Sequence, residues 1–124
     1  VTELGRMMAP GNTGSHTIKL VSAATGQDIA GGSVSVNLTY WRAGQFKYGK
    51  LAAPVVLQAG QIYYIVSNET SGGNSWHNEQ TQVSTTSAVS AIRPVWGNGP
   101  GSWNMLDTPG KEFGPMDMKY LVAP

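Results

Sequence analysis

No cysteine occurs among the 124 residues, so neither disulfides nor thiolate-bound metals contribute to this protein. Charge is scarce as well. Asp, Glu, Lys and Arg make up 12% of the chain and the net charge is +1, against a usual charged share of about 25%. The basic residues Arg6, Lys19, Arg42, Lys47, Lys50, Arg93, Lys111 and Lys119 are scattered, which argues against nucleic acid or an anionic membrane as partner. No apolar run reaches the ~18 residues that suggest a spanning helix. Helix signals are almost missing. The first residue is Val1, with no initiator Met and no leader pattern, and the expectation is a module excised from a longer protein.

What is present is a succession of strand signals cut by Gly, Pro and Asn. "HTIKLVS" (16–22) alternates Ile18 and Leu20 against Thr17 and Lys19, and "SVSVNL" (33–38) sets Val34, Val36 and Leu38 against Ser33, Ser35 and Asn37. "AATGQDIAGG" reads as the connection between them. Further strands are expected at 1–8, 45–51, 54–57, 61–68, 81–87, 88–96 and 112–122. In the last of these Met116, Met118 and Tyr120 alternate with Asp117 and Lys119. Eight or nine short strands at this spacing predict an all-β, antiparallel sandwich, jelly-roll-like or immunoglobulin-like. No repeat or composition shift divides the chain, so residues 1–124 are expected to form one domain.

Catalytic constellations are hard to assemble from these residues. No G-x-S-x-G elbow occurs, and the glycine-rich stretches open no helix that would cradle a phosphate. "WHNEQ" places His77 two residues from Glu79, but His16 is the only other histidine, too few ligands for a zinc site. Glycosidase chemistry needs two carboxyl groups at a set separation. The seven acids, Glu3, Asp28, Glu69, Glu79, Asp107, Glu112 and Asp117, are dispersed among turns and strands. No enzyme activity is expected and no cofactor is required. A structural calcium held by oxygen ligands such as Glu69 and Asp117 stays open, although no calcium-loop spacing occurs.

The four tryptophans carry the functional signal. Trp41 lies in "TYWRAGQ", Trp76 in "SGGNSWHNEQ", and Trp96 and Trp103 bracket the glycine-rich "WGNGPGSW". The last of these, with three glycines and a proline, cannot continue a helix or hold a central strand. An indole laid flat covers the C–H face of a pyranose, while neighbouring amides, carboxylates or imidazoles bond its hydroxyl rim. Asn68, Glu69, Asn74, His77, Asn98 and Asn104 are placed in sequence to supply that rim. Asn and Gly are also ordinary turn formers, and each tryptophan has the alternative of serving as core or loop anchor. Trp96 and Trp103 are the leading candidate platforms, with Trp41 and Trp76 next and Asn68, Glu69, His77 and Asn98 as hydroxyl partners. The seven-residue interval, at most about 25 Å extended, allows the leading pair a shared site or separate subsites.

"GSHTIKLVSAATGQDIAGGSVSVN", "AGQFKYGKLAAPVVLQAGQIYYIVSNETSGGNSW" and "FGPMDMKY" resemble a module type appended to secreted bacterial polysaccharide-degrading enzymes, most of all carbohydrate-binding module family 81. The resemblance implies a non-catalytic β-sandwich that binds β-1,4-glucan, including cello-oligosaccharides, with β-glucan and xyloglucan as related ligands. It implies secretion and a parent glycoside hydrolase in the same chain; a monomer is expected. "SNETSGGNSW" matches the pattern best, which would give Trp76 and Glu69 a structural role, whereas "WGNGPGSW" matches nothing in it. The competing expectations are a non-sugar interaction or spacer module and a small glycosidase.

Overall fold

A computed structural model describes residues 1–69, 81–98, 101–112 and 116–124, with backbone alone at 81 and 112. Its elements are β1 (Glu3–Met7), β2 (Ser15–Ser22), β3 (Asp28–Asn37), β4 (Phe46–Lys50), β5 (Tyr63–Ser67), β6 (Thr81–Gln82), β7 (Val95–Gly97), β8 (Trp103–Met105), β9 (Lys111–Glu112) and β10 (Met116–Lys119). Among the described residues there is no helix, and every strand pairing is antiparallel. The expected all-β architecture is therefore present.

One three-stranded sheet has the order β10-β1-β4 and the other β3-β2-β5. The core lies between them. Leu4 of β1, Ile18 and Leu20 of β2, and Val34 and Val36 of β3 meet there with Met8, Leu38 and Leu51. The period-2 patterns of 16–22 and 33–38 put these side chains inward, while Thr17, Ser33, Ser35 and Asn37 face solvent. Alternation fixes register here, because a one-residue slip would expose every buried side chain.

The second half departs from expectation. The predicted strands 81–87 and 88–96 shrink to Thr81–Gln82 and Val95–Gly97. Between them the chain turns on Thr86, whose hydroxyl and carbonyl accept the amides of Ala88 and Val89. Pro94 has no amide to extend a ladder. Segment 54–57 is likewise not a strand. Its link is to the chain start, where the Val1 ammonium donates to the Val55 carbonyl and the Val55 amide to the Val1 carbonyl. Conversely, residues 28–32, read as connection, extend β3 past a bulge opposite Lys19 and Val21. The result is ten strands among the described residues, with β6–β9 and β7–β8 as small separate ribbons.

Candidate functional site

The tryptophan candidates divide between the two ends of β2. Its first residues adjoin the 37–41 region, since Ser15 pairs with Asn37 and the Leu38 amide donates to the Gly14 carbonyl. Its last residue, Ser22, accepts the Gly26 amide. Eight residues at ~3.3 Å each separate these ends by roughly 25 Å. Trp41, Asn68 and Glu69 belong to the first end, and Trp96, Asn98 and Trp103 to the second. Trp76 and His77 lie outside the described residues.

At the second end the expected loop is a β-hairpin. Val95 pairs with Met105, Trp96 with Asn104 and Gly97 with Trp103. Directly paired residues share a face and successive residues alternate. Trp96 therefore projects with Asn104 from one face of the ribbon, and Trp103 from the other. Of the shared site and the separate subsites that their spacing allows, this register favours separate ones.

The two indoles also differ in environment. Trp103 is half-buried, donates its Nε1–H to the Gly26 carbonyl at 3.1 Å, and packs against Tyr64 with ring centroids 6.1 Å apart. Its ring covers Gly97, where a Cβ would stand 2.7 Å from Cε3 and 2.2 Å from the Ser102 carbonyl oxygen. Glycine at 97 is thus a steric requirement of the hairpin. The Gly101 amide also donates to Gly26, so Trp103 and Gly101 together moor the hairpin to the β2–β3 turn. Trp96 is 47% exposed, and Asn98 and Asn104 beside it are exposed. We expect Trp103→Ala to cost about 2 kcal/mol, roughly half of a fully buried tryptophan truncation. Trp96→Ala should change stability by less than ~0.5 kcal/mol, as surface substitutions do. Urea unfolding of the two variants checks the contrast.

At the first end, residues 38–41 form a turn closed by the Trp41 amide on the Leu38 carbonyl at 2.9 Å. Leu38 is wholly buried beneath it. The Thr39 amide donates to Asn37 Oδ1, and the Thr39 hydroxyl accepts the Gly14 amide. Tyr40 occupies the left-handed region at φ 63°, where Gly or Asn is the usual occupant. It is the one non-glycine residue with positive φ among the described residues, and it is 99% exposed. Trp41 is 39% exposed, with the Lys47 ammonium 5.1 Å above its ring. Lys47 is itself fixed by a 2.7 Å bond to the Asn37 carbonyl. Counting tryptophans missed Tyr40. The available signal was a tyrosine inside "NLTYWRAG", between a strand and a glycine.

Beneath this turn lies a buried polar network that joins the two sheets. Arg6 is fully buried on the core side of β1. Its Nε and Nη2 donate to Glu69 Oε1 at 3.0 and 2.7 Å, and its Nη1 to Asn12 Oδ1 and the Met7 carbonyl. The Ser67 hydroxyl donates to the same Glu69 oxygen, and His16 Nδ1 stands 3.8 Å from Oε2. Glu69, with 16% of its side chain exposed, is thus the counter-ion of a buried guanidinium. That agrees with the structural alternative for this residue rather than with a rim partner. Asn68 is exposed, and its amide donates to the Thr17 carbonyl. Asn37 and Asn68 flank β2 on opposite sides, about 10 Å apart at two strand spacings.

The remaining aromatic pair is not an open platform. Phe46 and Tyr48 stack at 6.1 Å on the outer face of the first sheet. Tyr48 lies on Gly5, whose Cβ would stand 2.6 Å from the ring, and the Lys119 ammonium sits 4.2 Å over it. The Tyr48 hydroxyl donates to Asp117. Burial, with the Asp117 and Glu3 carboxylates adding to it, holds this phenol well above the ordinary tyrosine range. Asp117 pairs with Gly5, whereas Glu69 binds Arg6, the next residue along β1. The two carboxylates therefore lie on opposite faces of one sheet.

A large apolar cavity of about 1210 Å³ runs along the flank between β5 and β10, lined by side chains such as Leu57, Ile65, Val83, Met116 and Met118. Asp117 is the sole carboxylate of its lining among the described residues. Trp41, Trp96 and Trp103 are not among its lining residues. Among the described residues no three His, Asp or Glu side chains gather as metal ligands.

The architecture defines an all-β, antiparallel protein of sandwich type with exposed aromatic turns at both ends. Compared with protein-family models, with curated proteins and with solved structures, the chain has no match.

Proposed function

We propose that this protein is a non-catalytic carbohydrate-binding module of a secreted bacterial polysaccharide-degrading enzyme. It binds β-1,4-glucan, with related β-glucans and xyloglucan as further ligands, by stacking sugar rings on exposed aromatic side chains. The observation that carries the reading is Tyr40, a ring 99% exposed at the tip of a turn that holds it in an unfavourable backbone conformation. Strain of this kind costs about 1–3 kcal/mol and collects at functional sites. Trp41 adjoins it, Asn68 stands at the same end, and Trp96 with Asn98 and Asn104 supplies a separate aromatic patch at the other.

Covering ~80 Å² of one ring is worth about 2 kcal/mol. Against an association cost of several kcal/mol, a few such contacts give micromolar to millimolar affinity. Weak, reversible binding suits a module that tethers a hydrolase in the same chain to its polysaccharide and raises the local substrate concentration. Two features favour a module over a glycosidase. Glu69 and Asp117 face opposite sides of a sheet, and among the described residues the apolar cavity between β5 and β10 is lined by a single carboxylate.

Affinity electrophoresis through gels containing hydroxyethyl cellulose, xyloglucan, mixed-linkage β-glucan, xylan or mannan tests the reading. Retardation is expected with the first three, reduced by Trp41→Ala. No retardation in any gel sinks the sugar reading in favour of an interaction or spacer module.

A further inference from the structure

Resting on the reading of Tyr40 and Trp41 as a glycan platform, we infer that this site prefers β-linked chains bearing carboxylates, with Arg42 as the carboxylate partner. Arg42 follows Trp41 directly and is exposed. Its backbone is fixed by a turn in which the Gln45 amide donates to its carbonyl. No ion pair or side-chain hydrogen bond engages its guanidinium among the described residues. The segments around it, 7–16, 37–47 and 67–69, contain one acid, Glu69, and that carboxylate is held by Arg6. Among the described residues the Arg42 charge is thus uncompensated, and it follows two exposed aromatic residues, Tyr40 and Trp41, in the chain.

Geometry selects the ligand class. A guanidinium presents parallel N–H donors that match a planar carboxylate in bidentate fashion. A uronate unit combines that carboxylate with the C–H face a tyrosine or tryptophan can cover. An anionic lipid surface is the poorer fit, because recognition there uses clusters of about 4–8 basic residues. Here the nearby Lys47 ammonium is already bonded to the Asn37 carbonyl and seated over Trp41. One unpaired fork suits one carboxylate.

The test compares cello-oligosaccharides with the same oligosaccharides after part of their primary hydroxyls have been oxidised to carboxylates. Titration calorimetry should show the oxidised form binding about three- to five-fold tighter at low salt, the scale of an exposed ion pair. The margin should close in about 1 M salt, where the Debye length is about 3 Å. Arg42→Gln should bring the two affinities together, with an unchanged melting temperature as the control for folding. Equal affinities in the wild-type protein, or a preference that survives Arg42→Gln, would overturn the inference while leaving the glycan reading intact. Absence of binding to either form would remove the glycan reading itself. Co-sedimentation with phosphatidylserine vesicles, abolished by Arg42→Gln in a protein that ignores both oligosaccharides, would reassign the patch to membranes.

Discussion

Arg6→Ala should destabilise the protein by about 3–5 kcal/mol, the cost of leaving one member of a buried ion pair without its partner. Arg6 is wholly buried, and its guanidinium organises Glu69, Asn12 and the Met7 carbonyl. Without it the Glu69 carboxylate keeps the Ser67 hydroxyl as a donor but loses its counter-charge. The Asn12 side-chain oxygen loses the Arg6 donor in the same stroke. The total stability of a domain is about 5–15 kcal/mol, so the variant should be close to unfolding at moderate temperature. Glu69→Gln isolates the charge. It keeps an acceptor for Arg6 and Ser67, and should cost less than Glu69→Ala, which leaves the guanidinium stranded. Urea unfolding of the three variants measures the order. Equal, small losses would mean that the two sheets hold together without the pair.

Tyr40→Gly should move stability and binding in opposite directions. Glycine adopts positive φ without the Cβ clash that costs other residues about 1–2 kcal/mol, so unfolding should become harder by about 1 kcal/mol. The same change removes the most exposed aromatic ring of the proposed platform. Loss of ~2 kcal/mol of stacking corresponds to roughly a 30-fold rise in Kd for cello-oligosaccharide. Tyr40→Asn, which also tolerates the left-handed region, should match glycine in the direction of both effects. Calorimetric binding and thermal melting on the same samples read both quantities. A Tyr40→Gly variant that binds normally would exclude this ring from the site, and one that melts earlier would show that the ring contributes packing.

These two residues illustrate different limits of reading a chain. Arg6 is one of eight basic residues and stands in a strand-like run, "VTELGRMM", with nothing nearby to suggest burial. Its partner is 63 positions away, so the pair is invisible to any local pattern. Tyr40 escapes the sequence pattern for the opposite reason. The sequence around it is informative, but a positive φ at a tyrosine runs against the residue's own preference, which local propensity does not anticipate. The hairpin at Trp96 and Trp103 adds a third lesson. Glycine spacing correctly marked a break in regular structure, but the strand register across the break decided which indole faces solvent.

Order along the chain was enough to determine the fold class, the alternation of the β2 and β3 faces, and the core residues Ile18, Leu20, Val34, Val36 and Leu38. Each follows from period-2 burial, a property of neighbours in sequence. The position of the candidate site residues came only with the tertiary structure. Folding placed Trp41 and Trp96 at opposite ends of a strand of eight residues and turned Trp103 inward onto Gly26. It also gave Glu69 to Arg6 and left Tyr40 and Arg42 open to solvent. Pairing register, turn geometry and long-range ion pairing make these assignments, and all three depend on contacts between residues far apart in the chain.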